Sequence, residues 1–220
     1  MKTAAKHTSK AAMVAEKDRV ILLAAREHFL QDGFAGASMD AIARSAGVSV
    51  KTIYSHFANK DELFSKVMIA ACTDHLLSSQ LPSDEVLTER FVWFREATER
   101  GLMKAGLEYL RHLLSEEQLA LYRVVTRDAD RFPEIGRHYQ KNFARGRTGI
   151  LIAYLRNVAR KRSWGKRDAI RDAALYEALL RAGIYEEVLH GLLTVNSDAI
   201  EKHARSAART MWGFLTTGDE

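Results

Sequence analysis

The chain has 220 residues, 47% apolar and 28% charged, with a formal net charge of +5 and a pI near 9.3. That length suits one large helical domain or a small domain joined to a larger one, and the mildly basic charge fits a phosphate-rich partner as well as plain solubility. Cys72, the single cysteine, excludes an internal disulfide and a cysteine zinc cluster, and no run approaches the ~18 apolar residues that span a bilayer.

Only Pro82 and Pro133 interrupt the chain, which favours helices over a sandwich or barrel. Residues 1–13 carry Lys2, Lys6, His7 and Lys10 without periodicity and without the apolar block of a secretory signal. They read as a mobile basic arm on a cytoplasmic protein. A helix follows over about 17–32, with Leu22, Ala25 and Phe29 on one face, and Gly33 ends it by taking the left-handed conformation. Ser38 caps the next helix, in which Met39, Ile42, Ala43 and Ala46 form a buried stripe. Gly47 breaks it and Val48 plugs the turn. Ser49 then caps a short helix through Phe57 whose inner face is Ile53 and Phe57. Asn59, with Glu62 at N3, opens a helix that continues to about Gln80 and stops at Pro82.

Ser83 caps a predicted helix over about 84–113, bent near Gly101 or Gly106. Ser115 and Gln118 form a capping box for a helix over about 116–130. Pro133 suits the first turn of a helix over about 134–161, on which Ile135, Tyr139, Phe143, Ile150, Tyr154 and Val158 share a stripe. Residues 160–167 form a basic loop, read as a solvated segment or a contact for acidic partners or DNA. Two helices, about 168–193 and 198–216, close the chain.

The segment 38–57 is the pattern that carries chemistry. A duplex major groove admits one helix, and a second helix must brace it across the phosphates through a tight turn that often contains glycine. The outer face of the short helix offers Val50, Lys51, Thr52, Tyr54, Ser55 and His56, which supply donors for phosphates and side chains that can touch base edges. The residues also resemble a known family. Ala25, Phe29, Gly33-Phe34, Ser38-Met39-Asp40-Ala41-Ile42-Ala43, Ala46-Gly47-Val48-Ser49 and Thr52 through Leu63 look, in order and spacing, like the TetR family of bacterial transcriptional repressors. The resemblance implies that Thr52, Tyr54 and His56 meet phosphates or nearby bases, and that Lys60 and Ser38 meet the backbone. It puts Val50, Lys51 and Ser55 at the variable positions that set sequence preference. Lys51 departs from the glycine that many members carry. From the residues alone, Tyr54 and His56 can also pack in the small core, and Lys51 and Lys60 can be solvated surface.

Residues 120–125 and 131–136 are similar to the C-terminal domain of the AefR-like subgroup, which implies a helical regulatory domain that dimerises and can hold a small ligand. Ala174, Ala178, Ala182, Tyr185, Leu189 and Leu192 recur at spacings of four and three, as do Ile200, Ala204, Ala207, Met211 and Phe214, so both helices carry a seam for a four-helix dimer interface. The competing reading is that these seams pack within the subunit. Trp93, Phe94, Tyr109, Tyr122, Phe132, Tyr139, Phe143 and Tyr154 lie on the middle helices and either line a cavity for a small apolar or aromatic effector or form core.

The expected fold is all-α, with a three-helix DNA-binding domain over 14–66, a regulatory and dimerisation domain over 67–220, and about nine helices in all. The expected partners are an operator in double-stranded DNA, a second copy of the chain and the effector, with the helix over 59–80 as lever between the domains. No cofactor and no metal is expected. The chain lacks the phosphate-loop, dinucleotide, zinc-protease and nucleophile-elbow motifs, so no catalytic residue is assigned and an enzyme is the weaker rival. A helical interaction module without DNA binding is the other.

Overall fold

The computed structural model describes residues 2–73, 84–165, 167–194 and 196–217. The expected helix end at Gln80, the stop at Pro82 and the cap at Ser83 lie outside these residues. Among the described residues there are twelve α-helices, a 3-10 turn, a π turn and no strand. The chain divides into two compact units, Met1–His75 with Ala120–Gln140 and Leu76–Leu119 with Lys141–Glu220. The expected division at residue 66 therefore omitted 120–140 from the first unit.

In the first unit, α1 (Lys2–Gly36) takes in the segment expected as an arm. Ala4, Ala5, Ala11 and Ala12 are strong helix formers and no glycine or proline intervenes, so a helix forms there without an amphipathic pattern. Gly33 carries φ 68°, and the regular helix breaks there as the sequence indicates. Then come α2 (Met39–Ser45), α3 (Val50–His56) and α4 (Lys60–Thr73). Asn59 Oδ1 accepts the Glu62 N–H at 2.8 Å, while the Glu62 carboxylate accepts from the Ala58 N–H at 2.7 Å, one residue earlier than a capping box requires. Lys66 and that N–H hold the Glu62 carboxyl below the usual carboxylate range.

Ile21, Ala25, Phe29, Ile42, Ile53, Phe57, Leu63, Phe64 and Val67 are buried. A helical segment of this size closes a core poorly by itself. The unit is completed by the end of α7 (Glu116–Asp128) and by α8 (Pro133–His138), with Pro133 in the first turn as predicted. Phe132, between them, is 5% exposed.

The second unit holds α5 (Asp84–Arg90), the 3-10 turn Val92–Arg95, α6 (Glu99–Leu113), α9 (Arg145–Arg162), α10 (Ala169–Arg181), α11 (Tyr185–Leu189) and α12 (Ser197–Thr217). The single helix expected over 84–113 is thus three pieces. The 3-10 turn buries Trp93 and Phe94, and Thr98 starts α6 afresh by accepting the Gly101 N–H at 3.1 Å. Gly101 and Gly106 do not bend the helix; they leave room for the hydroxyls of Tyr154 and Tyr176, which a Cβ would strike. The helix over 134–161 is divided by the π turn Tyr139–Ala144, and that over 168–193 ends at Arg181, with Gly183 at φ 77° beyond it.

The basic segment 160–167 is not a free loop. Lys161 Nζ donates to the Arg95 carbonyl and Arg162 Nε to that of Ala97, both at 2.8 Å. Arg167 Nε donates to Asp172 Oδ2 at 3.0 Å and Arg167 Nη1 to the Leu215 carbonyl at 3.1 Å. Backbone acceptors left by the ends of the 3-10 turn and of α12 draw these side chains inward. The box expected at Ser115 is half made: Ser115 Oγ accepts the Gln118 N–H at 3.4 Å, and the Gln118 side chain is buried.

Candidate nucleic-acid interface

The turn between α2 and α3 sets the geometry. Gly47 takes φ 66°, its N–H donates to the Arg44 carbonyl at 3.2 Å, and the Val48 N–H donates to the Ala43 carbonyl at 3.0 Å. These are the two bonds of a Schellman ending, which only a left-handed residue completes without strain. Ser38 Oγ caps α2 through the Ala41 N–H at 3.1 Å, and Ser49 Oγ caps α3 through the Thr52 N–H at 3.0 Å. Both caps stand where the sequence puts them.

Buried Ile53 and Phe57 fix which face of α3 turns outward. Lys51, Tyr54 and Ser55 are exposed, Tyr54 at 51%, so its ring is not part of the core. Val50, Thr52 and His56 are half-buried. Thr52 Oγ1 lies 2.8 Å from Ser49 Oγ, and Ser55 Oγ donates to the Thr52 carbonyl at 2.7 Å. His56 Nδ1 meets Asp18 Oδ1 of α1 at 2.6 Å. Lys60, at the start of α4, holds its ammonium 4.6 Å from the centre of the Phe34 ring. Ser38 is exposed. All eight expected contact residues therefore lie in one unit, six of them on a helix of seven residues.

The aromatic residues expected to line an effector cavity are distributed otherwise. Phe132 is a core residue of the first unit, and Tyr122 pairs there with Tyr139 at 5.9 Å. In the second unit Tyr154 meets Trp93 and Phe94 edge-on at 5.6 and 6.0 Å and donates to the Glu96 carbonyl at 2.6 Å. Tyr109 donates to Glu177 Oε1 at 2.7 Å, and Thr148 donates to the other oxygen at 2.6 Å. Burial, then the Glu177 charge, pushes the Tyr109 phenol well above its usual range. The Phe143 side chain lies outside the described residues.

The two expected seams also differ. Ala174, Ala178, Ala182 and Leu192 are exposed, and Leu189 and Ile200 are half-buried. Tyr185, Ala204, Ala207 and Met211 are buried within the unit, while Phe214 is 43% exposed. Most of the α12 seam faces its own subunit because α6 and α10 cover that side.

Residues 21–67 match the family model of bacterial regulatory proteins of the tetR family, and residues 100–214 match that of the AefR-like transcriptional repressor C-terminal domain. The second span is more than half of the chain. The chain belongs to the TetR family. Its regulators act by binding DNA and not by catalysis, so this member is a DNA-binding transcriptional regulator.

Among curated proteins, the HTH-type transcriptional regulator YhgD of Bacillus subtilis (strain 168) is 35% identical over 97 residues, 44% of this chain and 48% of that protein. The HTH-type transcriptional activator FasR of Mycolicibacterium smegmatis is 36% identical over 97 residues, 44% of this chain and 42% of its own. The chain thus spans less than half the length of these relatives. Among solved structures, a TetR-family regulator from Mesorhizobium loti MAFF303099 has a TM-score of 0.76 at 25% identity, with 91% of this chain and 97% of that chain covered. The flavonoid-responsive regulator FrrA has a TM-score of 0.67 at 25% identity and the same coverage.

Two contacts of this TetR-family head escape a reading from sequence. Asp18 and Phe34 touch expected contact residues from α1, Asp18 at His56 and Phe34 at Lys60. Neither spacing is local, so no periodicity or cap pattern marks them.

Proposed function

We propose that the chain is a sequence-specific repressor that binds a near-palindromic operator as a homodimer and is released by a small apolar or aromatic effector. The observation that carries this reading is the outward face of α3, where Lys51, Tyr54 and Ser55 stand exposed on a short helix braced by α2 through the Gly47 turn. That face fits a major groove. Lys51, Tyr54, Ser55, Val50 and His56 then reach base edges, while Ser38, Thr52 and Lys60 hold phosphates.

Two half-sites one helical turn apart, roughly 34–36 Å, call for two heads. The exposed stripe Ala174, Ala178 and Ala182, flanked by Ile170 at 59% and Leu175 at 40% exposure, is the surface we assign to the partner subunit. Small side chains let helices approach closely, and exposed aliphatic residues beside them favour burial. An aromatic effector is supported by the likeness to FrrA, a regulator responsive to flavonoids. The effector shifts the spacing of the heads by binding one arrangement more tightly than the other. The helices α4 and α7, which continue covalently from the head, are the levers.

Selection of bound sequences from random duplex DNA tests the reading. It should return an inverted repeat, and binding to that duplex should fall steeply with salt. No enriched sequence, or binding indifferent to salt, would instead favour a helical interaction module. A promoter–reporter assay in cells separates repression from activation, the activity that FasR carries in its name.

A further inference from the structure

The head contains a carboxylate where a duplex-binding surface is expected to avoid one. Asp18 of α1 is 40% exposed, and its Oδ1 lies 2.6 Å from Nδ1 of His56, whose side chain is only 13% exposed. An ionised carboxylate accepts and cannot donate, so the proton sits on Nδ1. Nε2 is then the ring nitrogen left for an outside partner, and in this tautomer it accepts from a donor on a base edge. By charge alone, Asp18 weakens attraction to phosphates. Its tie to His56 acts in the opposite direction, because a side chain ordered before binding costs nothing to order during it.

We propose that Asp18 is a positioning residue for DNA binding: it holds Nδ1, fixes the plane of the His56 ring and leaves Nε2 as the atom that meets the duplex. Histidine rings are set in this way wherever one nitrogen must be presented and the other is engaged by a carboxylate. The contact also joins the end of α3 to α1, so the outward-facing helix is tied at its C-terminal end as well as at the Gly47 turn. The inference rests on His56 being a duplex contact.

The experiment separates the two claims. Affinity is measured for the full chain on a duplex of about 30 bp carrying the selected half-sites, with wild type, Asp18→Ala, Asp18→Asn, His56→Gln and the Asp18→Ala/His56→Gln double variant. Asp18→Ala should weaken binding by about tenfold, the size of a lost charge-assisted bond. Asp18→Asn keeps the Oδ1 acceptor and drops the charge, so it should bind at least as well as wild type. The double variant should be no weaker than His56→Gln alone. Alanine favours helix more than aspartate does, so α1 is not weakened, and thermal melts verify this.

Long-range 1H–15N spectra should give a protonated Nδ1 on His56 in wild type and mixed tautomers in Asp18→Ala. Asp18→Ala binding as tightly as wild type or tighter overturns the proposal, as does Asp18→Asn binding no better than Asp18→Ala, or an unchanged tautomer. If His56→Gln weakens binding and Asp18→Ala does not, the positioning role alone fails. If His56→Gln leaves the affinity unchanged, the His56 contact fails with it.

Discussion

The ring of Phe132 lies 4.6 Å from that of Phe34, centroid to centroid, and 5.0 Å from that of Phe64. A residue of the α7–α8 turn thereby completes the core of the helix-turn-helix unit. Polar contacts secure the same junction. Asp128 Oδ2 accepts the Phe34 N–H at 3.3 Å, Ser65 Oγ donates to Glu134 at 2.9 Å, and the Arg131 guanidinium lies 4.4 Å from the Phe34 ring centre.

Phe132→Ala should therefore act on the head and not on an effector. Removing a buried ring from a packed aromatic cluster costs about 3–5 kcal/mol. Denaturant titration should show that loss. Where the variant is still folded, any effector that releases wild-type protein from DNA should release it at the same concentration; selective loss of effector response would return Phe132 to a ligand-lining role.

The head was legible in the sequence because its determinants are local. The caps at Ser38 and Ser49, the turn at Gly47 and the inward pair Ile53 and Phe57 all act within a few residues of themselves. The contacts that escaped are distant in sequence: Phe132 in the head core, Asp18 on His56, and Lys161 and Arg162 on the carbonyls of Arg95 and Ala97. A basic run reads as solvated unless the acceptors it reaches are known. Much of the seam on α12 is turned inward for a related reason, since apolar spacing marks a buried face without saying which helix buries it.

Gly47→Ala tests the turn. Nothing lies within reach of an added Cβ there, so the cost is purely that of a left-handed backbone, about 1–2 kcal/mol. Chemical denaturation should report this modest loss. DNA affinity should fall further than the stability change requires, because α3 changes its angle to α2.

In the second unit, the Arg167–Asp172 pair is nearly enclosed, its side chains 15% and 8% exposed. Asp172→Ala leaves a guanidinium held, among the described residues, by the Leu215 carbonyl and by stacking near Trp164 and Phe214. Breaking a buried pair from one side costs about 3–5 kcal/mol. The midpoint of urea unfolding should drop accordingly, and replacing both residues with apolar ones of similar volume should recover much of it.

Ala178→Glu examines the dimer surface. Ala178 is exposed in the single chain, so the substitution should leave the helical content and the fold of each subunit intact. Opposed across a two-fold axis, the new carboxylates would repel and be desolvated together. Sedimentation should find monomer at concentrations where wild type is a dimer. An unchanged dimer would move the interface away from α10.

Lys51 is the sharpest probe of recognition, because it stands exposed on α3 and touches no partner among the described residues that would confound its loss. If it meets a phosphate, Lys51→Ala weakens all duplexes alike and lowers the slope of log affinity against log salt by about one. If it reaches a guanine edge in the major groove, the slope hardly moves, and discrimination relaxes at one position of the half-site by about 1–3 kcal/mol. Titrations at several salt concentrations, on the selected duplex and on single-base variants of it, separate these outcomes. We expect the second, because Lys51 lies at the N-terminal end of α3, the end that approaches base edges when such a helix enters the groove.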